Sequence, residues 1–590
     1  MKGDGRVNFT HRTKNILKSI KNSFKRFPIT IGISTALVIM LIILLERGSY
    51  LTQDSRIVFQ RINMIIALGI PLSLCIKLVY EKNQRFNKIH GISMYIFGSF
   101  ILILYYYFLL KDFSMVSTVR YTGVSLFLYL AFSYIPWLGR DEGFEFYIIK
   151  VFSSFFLTII YSLVLYLGVS AIFFTVDQLF DVNIPGKYYY YTFLVVAGVF
   201  APSLFLARVP KIDQEFEGYE YPKSLKVLLL YIVIPLITIY SIILYIYFGK
   251  IIITKDWPRG LVSHLVLWYS VLSVAVIFFI TPILKENKLA NRFRSWFPKL
   301  IIPILIMMFI SMGIRIKQYG ITENRYFALV LGLWVIGIMI YFIFKKKLNN
   351  MVIPISLSII ALNSVFGPLS GFDVSKRSQN RRLKSLIEKN NMIGEGGLVK
   401  PTDDISMDDK LEVGMILKYF NDNHSLKDVK YLPQDFKISN MESVFGFPYM
   451  EKSLNEYSHF YYFSESRGKT LEVKGYDYLL EGYGIMGKIE SNDDIAVYFN
   501  RVDLNFKIEE KGNVIYKKDL KEYGLDVLEK VKDMDLKGNN LIDQDNMTFV
   551  DENDKVKVKF IINSIDGERR NQMKDTIFNN IDYYVLIKIK

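Results

Sequence analysis

Long apolar runs recur eleven times before about residue 370, and they decide what this chain can fold into. In lipid, every backbone N–H and C=O must find a partner within the chain, so only helices and closed barrels cross a bilayer. The runs are continuous rather than alternating, which selects helices over barrel strands. A crossing helix needs roughly 20 mostly apolar residues. The runs fall at about 28–46, 57–80, 89–110, 117–137, 148–176, 189–207, 225–248, 261–284, 300–316, 326–344 and 351–366. The last is short and contains Ser and Asn. The fifth is long enough to tilt, or to break near Phe173–Asp177.

Loop charge supplies an orientation. The N-terminal flank and the loops after even-numbered spans carry 26 Lys and Arg, against 11 in the other loops. Positive loops stay in the cytoplasm, so the N-terminus is expected inside, and an odd span count leaves the C-terminus outside. No small-residue cleavage site follows the first run, which therefore reads as a retained helix. Ahead of it, residues 1–27 form a basic N-terminus. Ile16, Leu17, Ile20, Phe24 and Phe27 recur there at helical spacing among Arg and Lys. That pattern suits either an amphipathic helix on an anionic inner leaflet or a plain positive anchor.

The net charge of +16 conceals a division. Residues 1–392 carry 44 basic and 19 acidic side chains, whereas residues 393–590 carry 28 and 37. The basic excess therefore belongs to membrane topology, and no nucleic-acid partner is expected. The expected organisation is an all-α membrane bundle at 28–370, a juxtamembrane helix at 371–392 and a soluble α+β domain with a mainly antiparallel sheet at 393–590. Ser375 is the expected cap of the juxtamembrane helix, with Leu383, Leu386 and Ile387 on one face. In the soluble domain, strands are expected at 470–474, 495–499, 502–508, 514–516, 556–562 and 583–589, and a helix at 519–532. Hairpin turns are expected at Glu510–Asn513 and Ile565–Gly567. Cys75, the only cysteine, lies in the second run, so this domain must hold together through its core.

Motifs for familiar chemistry are not apparent. Five histidines, one cysteine and an isolated Gly394-Glu395-Gly396-Gly397 do not compose a metal site or a phosphate loop. No cofactor, metal or catalytic residue is assigned. The densest polar sequence is Arg315–Tyr326, between spans nine and ten. Gly320 permits a tight turn there, Thr322 or Glu323 can cap the next helix, and Arg315 and Arg325 flank Glu323. Trp257-Pro258-Arg259-Gly260 joins spans seven and eight, and Ser378, Gln379 and Arg382 lie in the juxtamembrane helix. The charge pattern assigns all three segments to the outer face. Trp257, Arg259, Arg315, Tyr319, Thr322, Glu323, Arg325, Tyr326, Ser378, Gln379 and Arg382 are therefore the candidate external polar site. Such a cluster either binds a ligand or locks helical hairpins together and seats the external domain.

These segments resemble the bacterial inner-membrane family catalogued as domain of unknown function 4153. The resemblance rests on Trp257, Pro258 and Gly260; on Arg315, Tyr319, Gly320, Thr322, Glu323, Arg325 and Tyr326; and on Gly367, Pro368, Ser375, Ser378, Gln379, Arg382 and Leu383. It is best over about 190–390. It implies a polytopic plasma-membrane protein and brings no activity, substrate or catalytic residue.

Three functions fit the pattern. In the first, an external domain senses a ligand or assists envelope assembly, with a protein or envelope partner on residues 393–590 and the bilayer around the bundle. The second is a transporter or lipid-handling protein, for which prolines at 71, 202, 235, 303 and 354 offer broken helices. The third is an enzyme on lipid-linked or wall material with Glu323 as base. It lacks a second carboxylate.

Overall fold

The computed structural model describes residues 20–590 apart from 49, 84, 141, 213, 215, 217–218, 255–260, 395–396, 402–404, 434, 451–456, 466–469, 483–486, 491–494, 501–502, 533–539 and 571–574. Most of the basic N-terminus, together with Trp257 and Arg259, lies outside the described residues. Two compact units divide the chain, Met1–Met450 and Glu451–Lys590.

Ten helices in the first unit, among the described residues, are long and apolar enough to cross a membrane. They are α1 Pro28–Arg47, α2 Gln53–Lys82, α3 Lys88–Phe108, α4 Met115–Trp137, α5 Phe144–Phe180, α6 Gly186–Arg208, α7 Lys223–Thr254, α8 Ser263–Ile283, α9 Lys288–Tyr319 and α10 Glu323–Phe344. The eleventh expected span is the shorter helix α11, Val352–Val365. Its 14 residues rise only about 21 Å, yet side chains tie it to both ends of the bundle. Before it, Lys347 pairs with Glu142 at 3.0 Å and Asn350 donates to Glu145 at 2.7 Å. At its far end, Arg120 donates to the Val365 carbonyl at 3.3 Å. Glu142 and Glu145 follow α4, whereas Arg120 lies near its start, so α11 runs antiparallel to α4 along most of its length.

Helix α5 continues unbroken through Phe173–Asp177 for 37 residues, so of the two expected alternatives, tilt or break, the break does not occur. The chain turns only at Asp181, in a left-handed conformation, and the Asp177 carboxylate accepts from the Ile184 amide at 2.6 Å. Breaks occur in α6 and α7, beside two of the prolines expected to break helices, as π-helical turns at Val196–Phe200 and Leu228–Val233. Each precedes a proline, Pro202 or Pro235. Proline has no N–H and therefore frees the carbonyl four residues earlier. For Pro202 that carbonyl is Gly198, and the Ser34 hydroxyl of α1 donates to it. A serine on a neighbouring helix thus satisfies the backbone group that the proline releases.

Beyond the bundle, α12 (Gly371–Lys389) lies within the expected 371–392, but Ser375 is not its cap. Its cap is Ser370, whose hydroxyl accepts from the Asp373 amide, while Ser375 lies buried inside the helix. Ser370 is the first hydroxyl after Gly367-Pro368 and can take the extended cap conformation directly. Leu383, Leu386 and Ile387 do share a face. They pack with Ile416, Leu417 and Phe420 of α13 (Met407–Asn423) in one apolar core. The first compact unit therefore extends past the charge boundary at residue 392 and includes α13.

The second unit has two sheets over one core. Its strands are β1 Tyr457–Ser464, β2 Tyr478–Glu481, β3 Gly487–Glu490, β4 Ile495–Asn500, β5 Asn505–Glu510, β6 Asn513–Asp519, β7 Leu541–Ile542, β8 Thr548–Glu552, β9 Val556–Arg570 and β10 Asp575–Ile589. One sheet has the order β2-β10-β9-β1-β7, with β8 also paired to β9. The other is the meander β3-β4-β5-β6. Every pairing is antiparallel except β1 with β7. Helix α14 (Leu520–Lys532) adds Leu520, Tyr523, Val527 and Leu528 to the core. The turn at Lys511–Gly512 forms as expected, with both residues at positive φ and Glu510 opposite Asn513. Ile565–Gly567 is not a turn: β9 continues through it, and a register shift at Asp566/Gly567 absorbs the irregularity. Residues 471–474 form no strand.

Candidate functional site

Helix α9 ends at Tyr319 because Gly320 turns the chain sharply, with φ +68 and ψ −179. That backbone region is essentially restricted to glycine. Thr322 then stands at the N-cap of α10, although its side chain makes no capping bond. The turn leaves the carbonyls of Tyr319, Gly320 and Ile321 to be satisfied from elsewhere.

Three residues of α12 grip this turn. Gln379 donates to the carbonyls of Tyr319 (3.1 Å) and Ile321 (3.0 Å). The Ser378 hydroxyl accepts from the Ile321 amide at 2.9 Å. Arg382 donates to the Tyr319 carbonyl and to Gln379 Oε1, both at 2.8 Å, and also to Glu412 of α13. From α10, Arg325 donates to the Gly320 carbonyl at 2.7 Å and stands over the Tyr319 ring. The Tyr326 hydroxyl donates to the Leu369 carbonyl, just before α12. A β-carbon at Gly320 would lie 2.6 Å from Arg382 Cδ and 2.9 Å from Gln379 Nε2, so the helix and the turn are in direct contact.

Glu323 does not pair with either flanking arginine. Its Oε1 accepts from the Tyr419 hydroxyl at 2.6 Å and lies 2.7 Å from His424 Nε2. Tyr419 and His424 are themselves 2.9 Å apart. The side chains of Glu323 and His424 are 8% and 2% exposed, so carboxylate, imidazole and phenol form a nearly dry triad. Burial, then the bond to Glu323, pushes the Tyr419 phenol well above its ordinary pKa, and it remains a neutral donor. Arg325 is occupied by backbone carbonyls, and among the described residues Arg315 makes no hydrogen bond or ion pair.

Of the eleven candidate residues, Tyr319, Thr322, Glu323, Arg325, Ser378, Gln379 and Arg382 thus meet around one turn, with Tyr326 alongside. Arg315 does not join them. Tyr419, His424 and Glu412 complete the arrangement and were not among the candidates. The sequence distance between Glu323 and His424 hides that pairing, and His424 belongs to no motif. No three His, Cys, Asp or Glu side chains among the described residues form a metal-binding group. The cluster is built of bonds to backbone and of internally satisfied polar groups, which is the chemistry of a clasp.

A multi-pass membrane protein, with a helical bundle clasped to an added helical segment and followed by a mainly antiparallel α+β unit, is the class that this architecture defines. The chain belongs to the family described as domain of unknown function (DUF4153), which it matches over residues 31–392. It is also similar to the uncharacterized protein PM1469 of Pasteurella multocida (strain Pm70), at 20% identity over 398 residues. That alignment covers 67% of this chain and 63% of the relative's length. No solved structure matches the chain.

Proposed function

We propose that this protein is an extracytoplasmic sensing or envelope-assembly protein, in which the clasp couples a ligand- or partner-binding domain to the membrane bundle. The N-terminus is cytoplasmic in this reading, and the Gly320 turn and the C-terminal unit face outward. The excess of 26 over 11 basic residues in alternate loops supports that orientation. The observation that carries the reading is the clasp. Helix α12 follows the last bundle helix, grips the turn between α9 and α10, and passes the connection to α13 through Arg382–Glu412 and Glu323–His424. A displacement of α13 would thus be felt at two bundle helices.

The test uses Glu323→Ala, Arg325→Ala and Arg382→Ala in cells, scoring membrane abundance separately from an envelope-stress phenotype. Normal abundance with a lost phenotype supports coupling; a uniform loss of protein from the membrane refutes it in favour of a purely structural clasp. For the orientation, Cys75→Ser with Lys590→Cys should react with a membrane-impermeant maleimide in intact cells. Labelling only after permeabilisation overturns it. A transporter or lipid-handling role is the second reading, supported by the π-helical turns in α6 and α7, a feature frequent at functional sites.

A further inference from the structure

At the opposite end of the bundle from Gly320, two adjoining clefts open between α1, α2, α5 and α6. One, of about 730 Å³, is lined by Lys150, Ser154, Arg208, Lys211 and Gln214 among others. The second, of about 600 Å³, shares Ala207, Val209 and Lys211 with the first and adds Lys25, Arg26 and Glu81. Glu81 is already neutralised: Arg26 holds it at 2.8 Å and Lys77 at 3.5 Å. Arg26 also donates to the Val209 and Pro210 carbonyls, which fixes the shared wall. Lys25, Lys150, Arg208 and Lys211 have no carboxylate partner among the described residues; Asp213, Glu215 and Glu217 of the same loop lie outside them.

These cations border an apolar surface. Arg208 stands over the Tyr161 ring at 5.2 Å, and Lys150 over Phe216 at 5.8 Å. From Ser154 onward α5 presents Phe155, Phe156, Ile159, Ile160 and Leu163 exposed, and only 6% of its most apolar window is buried within the protein. Exposing these residues to water would be costly, whereas lipid chains cover them. Cations at the foot of a lipid-facing apolar wall match a molecule with a phosphate at one end and acyl chains beside it. Basic pockets between membrane helices hold acidic headgroups by this combination.

We infer that the cleft bounded by Lys150, Arg208 and Lys211 binds the phosphate of an anionic phospholipid whose acyl chains lie along α5. The inference rests on the proposed orientation only for the leaflet, the cytoplasmic one; binding itself is independent of sidedness and of any sensing role.

The test uses the purified full chain in a neutral detergent. Short-chain phosphatidylglycerol should raise its melting temperature, while phosphatidylcholine of the same chain length and free glycerol phosphate should not. In Lys150→Gln/Arg208→Gln/Lys211→Gln, phosphatidylglycerol affinity should fall about a hundredfold, at about fivefold for each cation removed. The control Lys288→Gln/Arg292→Gln, at the same end of the bundle but outside the clefts, should keep it. Equal stabilisation by phosphatidylcholine, or by glycerol phosphate, overturns the assignment. So does an unchanged response in the triple variant. If that variant does not fold, the wild-type protein decides: a photoactivatable phosphatidylglycerol should label α5 or the 205–214 segment, and labelling confined to other helices refutes the site.

Discussion

Gly320→Ala should disrupt the clasp more than any other single methyl group added to the α9–α10 turn. Its backbone conformation is essentially closed to other residues and costs roughly 1–3 kcal/mol with a β-carbon present. The same carbon would stand 2.6 Å from Arg382 Cδ and 2.9 Å from Gln379 Nε2. Both side chains must then withdraw, with loss of the bonds from Gln379 to Tyr319 and Ile321 and from Arg382 to Tyr319. At about 1 kcal/mol each, those three bonds bring the expected loss to roughly 4–6 kcal/mol, although the terms share side chains and will not add fully. Gly313→Ala, in the same α9, meets nothing within 4 Å and serves as the control. Thermal unfolding of both variants in detergent, with limited proteolysis around residues 390–406, measures the difference. A Gly320→Ala protein as stable and as protease-resistant as Gly313→Ala would refute the geometry of the clasp.

Three other outcomes are expected. Glu323→Ala takes the shared acceptor from His424 and Tyr419 and should cost about 2–4 kcal/mol, whereas Tyr419→Phe should cost about 1–2 kcal/mol; the reverse order in thermal unfolding would contradict the triad. Gly198→Leu should separate α1 from α6, because even a β-carbon there overlaps Val38, at a cost of about 1–3 kcal/mol; Val38→Ala in the same chain should recover part of it, and additive losses would argue against direct contact. In the second unit, burial raises the phenols of Tyr516, Tyr523 and Tyr583, with Asp551 adding to the first two. The native state therefore keeps protons that the unfolded chain loses, so stability is full below the ordinary phenol pKa near 10 and declines as pH rises beyond it. Hydrogen exchange of residues 457–590 across that range should show protection falling; flat protection would mean these phenols are not held neutral.

Much of the bundle was legible because membrane solvation acts through local composition. Among the described residues, ten of the eleven apolar runs form helices long and apolar enough to cross a membrane, and the run at 351–366 forms a shorter apolar helix. Of the two alternatives for α5, tilt or break, the break does not occur, because the Asp177 carboxylate works in the turn after the helix; Pro202 and Pro235, two of the prolines expected to break helices, do alter the backbone itself. In the second unit, the helix Leu520–Lys532 lies within the expected 519–532, and the strand Asn513–Asp519 contains the shorter expected 514–516. Ile565–Gly567 looked like a turn because Asp-Gly usually is one, but long pairing with β10 carries the strand through.

By itself, the sequence determined that the chain is a multi-pass helical membrane protein with an α+β end, since twenty apolar residues in a row leave the backbone no other solvent and no other bonding pattern. It also marked Glu323, Gln379 and Arg382 as worth finding together. Only the tertiary structure decided what they do. Glu323 takes His424 rather than the adjacent arginines, Arg382 and Gln379 satisfy a glycine turn, and α13 joins the bundle's unit despite the acidic composition that begins at residue 393. Partner choice among buried polar groups depends on distances of a few ångströms between residues a hundred positions apart, and local pattern carries no measure of those distances.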